Sequence, residues 1–189
     1  MSKVFPLMLL VIFAIVKTNA QEITVNKIAS EEYLKEAVSF LSLVKQKELR
    51  DSSFTLADVP KYACFSYTVD DSVNFTRAEM NHIANEINSP KITSWKTVLP
   101  STVRFLDQRL VNSVSKSIKN PKRETKIFLK KFGGCYNNFS APIFLRDYTF
   151  CLLYVDTICP AGQSKGELQV FEKIDGVWKQ MTSRCEWTE

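Results

Sequence analysis

The periodicity of apolar residues changes once along this chain of 189 residues, and the change constrains the fold class. From Ser30 to about Leu49, and again between Thr76 and Ser89, apolar residues recur at the three- to four-residue spacing of amphipathic helices. From Thr125 onward the pattern is typical of strands. Helices followed by strands predict an α+β fold, in which N-terminal helices pack on a curved antiparallel β-sheet formed mainly by the C-terminal half.

Two short motifs locate elements within this plan. Thr76 followed by Glu79 predicts a capping box at the start of the second helix. Asp175-Gly176 lies between the strand-like runs Leu168–Ile174 and Val177–Thr182, and such a pair predicts a two-residue hairpin turn. Shorter patterns predict a third helix, which opens at Pro100-Ser101 and closes at Asn120-Pro121, and strands at Tyr62–Tyr67, near Ile92–Val98, at Lys126–Phe132 and at Tyr148–Val155.

The first twenty residues have the layout of a secretory signal peptide. Lys3 is followed by an apolar run from Val4 to Val16 and by small residues up to Ala20. The run is shorter than the roughly 20 residues that a membrane-spanning helix needs. We therefore expect residues 1–20 to be removed and residues 21–189 to form a single secreted, extracellular α+β domain with no membrane span.

The mature chain carries a small positive charge. The net charge is +5, and removal of Lys3 and Lys17 leaves +3. A charge this small does not indicate nucleic acid as a partner.

All five cysteines lie in the predicted mature domain, where the secretory pathway favours disulfides. Four of them lie in the last 55 residues, which predicts two disulfides among Cys135, Cys151, Cys159 and Cys185, with three possible connectivities. Cys64 is then left over as a buried thiol; pairing of Cys64 with another cysteine of the chain or with a second chain is the alternative. The sequons at Asn74 and Asn138 are candidate glycosylation sites, and both must face solvent if they are used.

No motif in the chain indicates catalysis, a metal or a cofactor. The one histidine, His82, falls on the solvent side of the second helix, and one histidine with oxidised cysteines cannot supply a zinc site. The enzymatic alternative is an isomerase or hydrolase in which a desolvated Asp147 or Asp156, at the ends of the central strand, acts with a tyrosine. Alternatively, both aspartates only end the strand, and their carboxylates face water.

A cluster of basic residues is the second candidate site. In residues 116–131 seven of them face a single acid, Glu124. They would form a patch for an anionic glycan, anionic lipid head groups or an acidic protein. Alternatively, they would only stabilise the C-terminal end of a helix and keep an edge strand from aggregating. The residues are Lys116, Lys119, Lys122, Arg123, Lys126, Lys130 and Lys131.

The terminal segment LQVFEKIDGVWKQM, with Gly176 and Trp178 in its hairpin, resembles the last two strands of nuclear transport factor 2-like domains. That resemblance implies a cone-shaped α+β fold, which serves binding, small-molecule isomerases and dehydratases, and oligomerisation. Tyr148–Tyr154 also looks like a late strand of lipocalins, although their G-x-W signature lies near the N-terminus and the helix-rich first hundred residues do not suit that fold. We expect a secreted binding or interaction protein, with a small apolar ligand in the concavity of the sheet or an anionic partner at the basic cluster; a lipocalin-like carrier of an apolar ligand is an alternative.

Overall fold

The computed structural model describes residues 30–117, 126–127, 129–130, 132–159 and 162–189. The predicted signal peptide lies outside these residues. The chain divides into two compact units, residues 1–36 and residues 37–189. The described part of the first unit is helical, and the packing discussed below is that of the second unit.

The described residues form helices in the N-terminal half and a seven-stranded sheet, which confirms the α+β class. The helices are α1 (30–44), α2 (Gln46–Arg50), α3 (Ser66–Val69), α4 (Arg77–Asn88) and α5 (Gln108–Ser117), with a 3₁₀ turn at Trp95–Thr97; the described residues among 126–132 are helical as well. The strands are β1 (Thr55–Ala57), β2 (Arg104–Leu106), β3 (Tyr136–Phe139), β4 (Ile143–Leu145), β5 (Phe150–Ile158), β6 (Lys165–Ile174) and β7 (Val177–Thr188). Among the described residues, no helix combines the length and the apolar character needed to cross a membrane.

The sheet is mixed, with the strand order β2-β1-β3-β5-β6-β7. β1 pairs in parallel with both β2 and β3, whereas the remaining pairs, including β4 with β5, are antiparallel. β3 and β4 lie along the same side of β5, one after the other, and a short break at residues 140–142 separates them. The long strand β5 is therefore central, as the apolar run around it predicts.

The hairpin between β6 and β7 confirms the turn signal. Ile174 pairs with Val177, and Asp175 and Gly176 both have positive φ, at 52° and 77°. Two successive positive φ values define the tight turn whose twist matches that of the flanking strands. The capping box of α4 is confirmed as well, because the Thr76 hydroxyl accepts from the Glu79 amide and the Glu79 carboxylate accepts from the Thr76 amide.

Helices cover the sheet on both faces. On one face Phe40 of α1 contacts the rings of Phe144, Phe171 and Trp178 edge to face, with centroids 5.0–5.6 Å apart. On the other face Ile83 of α4 packs in a buried cluster with side chains of β4, β5 and β6. β5 is apolar on both sides because each of its faces is covered.

Three predicted strands are wrong. Residues 62–65 are irregular and lead into α3, and the 3₁₀ turn replaces the strand near Ile92–Val98. The described residues between 126 and 132 are helical, and Gly133, with φ of 82°, ends this helix by donating to the Leu129 carbonyl. The glycine pair that suggested a strand break is therefore a helix cap. The third helix also begins later than predicted, after β2.

The cysteine assignment requires a correction. Cys64 pairs with Cys185, and Cys135 pairs with Cys159. Cys64 is therefore not the cysteine left over; it is bonded to Cys185 of β7, and its backbone has a positive φ of 67°. Cys151 belongs to neither disulfide: it lies in β5, fully buried, where its thiol contacts the Leu152 carbonyl at 3.7 Å.

The first prediction concerns these two disulfides. Non-reducing peptide mapping should link Cys64 to Cys185 and Cys135 to Cys159, and a Cys151→Ala control should leave both links unchanged. Replacing Cys64 and Cys185 by serine should lower the free energy of unfolding in urea by about 1–1.5 kcal/mol more than replacing Cys135 and Cys159, since the first pair closes 121 residues and the second 24. Equal losses for the two pairs would contradict this ranking.

Candidate functional site

Side chains on one face of β6 change from apolar to polar along the strand. Phe171 packs under α1, whereas Gln169, Glu167 and Lys165 follow it at every second position and therefore point to the same side. The neighbouring strands continue this polar region with Asn137 and Thr157, and β7 adds Glu186 and Thr188.

A cavity lies over this polar region because α1 ends there. The helix stops at residue 44, and the segment from Lys45 to Phe54 covers the strand ends only in part. The cavity has a volume of about 380 Å³, which lies in the range of small-molecule sites. We call this cavity the polar pocket; its walls are Lys45, Glu48 and Phe54 on one side and residues of β3, β5, β6 and β7 on the other.

Gln169 has an unpartnered acceptor at this pocket. The residue is 5% exposed, and its Nε2 donates to Glu167 Oε1 at 2.6 Å. Among the described residues, no donor reaches its Oε1, although the atom is buried. Such an atom costs about 1–3 kcal/mol when it has lost water without gaining a partner.

Lys45 brings a buried cation to the same pocket. It is 7% exposed, and its ammonium lies 3.7 Å from Glu48 Oε1 and 5.9 Å from the centroid of the Phe139 ring. Burial lowers the pKa of Lys45 below its ordinary 10.5, and the nearby carboxylates of Glu48 and Glu167 offset only part of this effect. Lys45 is thus a hydrogen-bond donor held away from bulk water.

Two polar residues of the pocket wall, Asn137 and Thr157, bond to each other and to the backbone. The Thr157 hydroxyl donates to Asn137 Oδ1 at 2.7 Å, and Asn137 Nδ2 donates to the Thr55 carbonyl at 3.1 Å. These bonds join β5, β3 and β1. Asn137 and Thr157 therefore shape the wall, while Lys45 and Gln169 keep bonding capacity for an occupant.

A buried carboxylate on the opposite face supports this part of the sheet. Asp156 accepts from Lys61 Nζ at 2.6 Å, from Asn138 Nδ2 at 2.5 Å and from the Tyr154 hydroxyl at 3.0 Å. Trp187 Nε1 in turn donates to the Tyr154 hydroxyl at 3.1 Å. Burial and the Asp156 charge both raise the pKa of Tyr154, so the phenol stays protonated and donates.

Gly166 allows the Trp187 side chain to lie beside Asp156. Gly166 pairs with Asp156 on β5 and with Trp187 on β7, so the three residues share one face of the sheet. A Cβ at residue 166 would lie 2.5 Å from Trp187 Nε1 and 2.8 Å from the Asp156 Cβ. The missing side chain therefore makes room for the indole that completes the hydrogen-bond chain.

The two aspartates singled out in the sequence have different environments. Asp147 is exposed in the turn before β5. Asp156 is buried, so the expectation that it faces water at a strand end is wrong for this residue. Because both of its oxygens already accept hydrogen bonds, the geometry favours a structural role for Asp156 over that of a general base.

The two sequons also differ. Asn74 is exposed, and its side chain donates to Asp71. Asn138 is 2% exposed, and its amide supplies one of the donors to Asp156. Asn138 therefore does not meet the condition of facing solvent that a used sequon requires. Glycosylation of Asn74 stays a prediction.

The basic cluster is described only in part. Lys126 and Lys130 are exposed. Lys119, Lys122, Arg123 and Lys131 lie outside the described residues, as does the side chain of Lys116. Convergence of these residues into one patch therefore stays a prediction.

His82 lies on the solvent side of α4, as predicted, with Nε2 3.9 Å from Glu86 Oε1. Within the described ranges, no three His, Cys, Asp or Glu side chains come together to hold a metal ion.

Sequence reasoning missed Lys45, Glu167 and Gln169. The run Lys165–Phe171 alternates polar and apolar residues, which indicates an ordinary solvent-facing strand. Nothing local in the run shows that the end of α1, more than a hundred residues earlier in the chain, covers its polar face.

No protein-family model, no curated protein and no solved structure matches this chain. The resemblance of the C-terminal hairpin to nuclear transport factor 2-like domains therefore stays a prediction.

The second prediction tests the gap at Gly166. Gly166→Ala should lower the free energy of unfolding by about 1–3 kcal/mol, because its Cβ overlaps the indole of Trp187 and the Cβ of Asp156. The same substitution should cost less in a Trp187→Ala background, where the closest contact is gone. A double-mutant cycle measured by urea unfolding gives the interaction energy between residues 166 and 187. Equal losses of unfolding free energy in the two backgrounds would show that the indole does not occupy the space beside Gly166.

The third prediction concerns the pH dependence that Lys45 contributes. Lys45→Met should raise the free energy of unfolding at pH 7 by about 1–2 kcal/mol, because it removes a buried ammonium and keeps the unbranched stem. At pH values between the lowered pKa of Lys45 in the folded chain and 10.5, the unfolded chain binds more protons than the folded chain. The free energy of unfolding of the wild type therefore rises with pH relative to that of the variant. Tyrosine ionisation affects both proteins alike. A stability difference that stays constant up to pH 10.5 would contradict the burial of this ammonium.

Proposed function

We propose that this chain is a secreted protein that binds a small polar molecule in the polar pocket. The observation that carries the proposal is the buried Oε1 of Gln169, an acceptor without a donor among the described residues, in a side chain that lines a cavity of about 380 Å³. A ligand that donates a hydrogen bond to this atom would remove the cost of its burial.

A residue kept at a cost to stability is a common feature of binding sites. Methionine at position 169 would fill nearly the same volume and would leave no acceptor without a partner. Glu167, which would lose its bond from Gln169, is half-buried and can still reach water. A glutamine at this position is therefore better explained by an occupant of the pocket than by packing.

The character of the walls favours a polar occupant over the apolar ligand expected from the sequence. Lys45, Glu48, Glu167 and Gln169 all line the pocket. An apolar molecule would bury these groups without offering them hydrogen bonds.

Secretion is supported by two features. Residues 1–20 have the pattern of a signal peptide, and the two disulfides fit an oxidising compartment outside the cytosol. The exposed Asn74 is the sequon that a glycan can occupy without disturbing the core.

The fourth prediction compares stability with binding. Gln169→Met should leave the free energy of unfolding unchanged or raise it by about 1 kcal/mol, while it lowers the amount of ligand that co-purifies at least tenfold. Native mass spectrometry of the chain purified from its own source measures the bound fraction, and urea unfolding measures stability.

Gln180→Met, an exposed site on β7, is the matched control and should change neither quantity. If Gln169→Met destabilises the chain and the wild type carries no ligand, Gln169 has a structural role and the proposal fails.

A further inference from the structure

We infer that the polar pocket takes an uncharged, hydroxyl-bearing ligand of the saccharide class. The inference rests on the proposed function, because it names the chemistry of the ligand for the same pocket. Three properties of the pocket support it independently: its hydrogen-bonding capacity, its charges and the composition of its walls.

The bonding capacity of the pocket is mixed. Lys45 can only donate hydrogen bonds, whereas Gln169 Oε1 and the carboxylates can only accept them. Glu167 connects the two, because it accepts from Gln169 Nε2 and its charge acts on the Lys45 ammonium. A hydroxyl group both donates and accepts, so a ligand with several hydroxyls can satisfy this alternating set. An ammonium group could only donate, and a carboxylate could only accept.

The charges in the pocket also disfavour a charged ligand. The buried Lys45 ammonium is already balanced by Glu48, at 3.7 Å, and by the nearby Glu167. The wall as a whole carries both signs, Lys45 and Lys165 against Glu48, Glu167 and Glu186, so an anionic ligand would meet three carboxylates and a cationic ligand two ammonium groups. A neutral ligand adds no unpaired charge beside the buried Lys45 ammonium.

The aromatic side chains of the wall offer an apolar surface beside the polar groups. The rings of Phe54 and Phe139 lie 5.7 Å apart between centroids, at an angle of 36°. The carbon–hydrogen face of a sugar ring is apolar, and its rim carries hydroxyls. The cavity of about 380 Å³ has room for one or two such rings.

The experiment uses isothermal titration calorimetry with the purified chain, both disulfides formed. The probes are the methyl glycosides of glucose, galactose and mannose, together with glucosamine and glucuronate, which keep the ring and add a positive or a negative charge. We expect at least one neutral glycoside to bind ten times more tightly than both charged sugars. Gln169→Met and Lys45→Met should each weaken this binding at least tenfold, and Gln180→Met should leave it unchanged.

Tighter binding of a charged sugar would overturn the inference of an uncharged ligand and leave the proposed function intact. Binding of a neutral glycoside that neither Gln169→Met nor Lys45→Met weakens would have the same consequence. If no probe binds, native mass spectrometry of the source-purified chain decides between the remaining outcomes. A co-purified neutral compound with hydroxyl groups supports the inference, and a charged or hydroxyl-free compound overturns it. A chain without any bound compound overturns the proposed function as well.

Discussion

The position of the Asp156 carboxylate constrains much of the structure around it. A charge taken out of water must be compensated by neighbouring groups, and here the donors come from three separate parts of the chain: Lys61 before α3, Asn138 on β3 and Tyr154 on β5 itself. Tyr154 is joined to β7 through Trp187, which reaches it only because residue 166 has no side chain. A one-residue slip of β5 would move Asp156 to the other face and leave these donors without their acceptor. The register of four strands is therefore linked to one charge.

The same register places the polar pocket on the opposite face. Once Asp156 and Gly166 point to one side, Thr157, Glu167 and Gln169 must point to the other, because side chains alternate along a strand. The helix α1 covers that side only as far as residue 44, so the apolar half of the face becomes core and the polar half borders a cavity. One face of the sheet thus holds a saturated hydrogen-bond network, and the other holds Lys45 and Gln169 with capacity to spare. This contrast is why the proposed function lies with the pocket and not with the buried aspartate.

Local patterns predicted the elements that depend on local interactions. The capping box of α4, the Asp175-Gly176 turn and the central strand were recognisable because a few neighbouring residues determine each of them. The short parallel strands β1 and β2 were missed, since three residues are too few to show a period. The aromatic run at Tyr62–Tyr67 has the composition of a strand, but a disulfide at Cys64 and burial against the sheet hold it in another conformation. The pairing of Cys64 with Cys185 joins positions 121 residues apart, which spacing along the chain does not predict.

Periodicity and composition were enough to indicate the class of this protein: helices before strands, an α+β fold and five cysteines suited to disulfides. These features follow from periodicity and composition, which act over a few residues at a time. Long-range packing alone determines which cysteine is buried outside the disulfides, which sequon is exposed and which polar side chains border a cavity. Lys45 and Gln169 show the reason, because each looks like a solvent residue in its own segment. Their burial, and with it their unused hydrogen-bonding capacity, arises only where the end of α1 meets the polar ends of the strands.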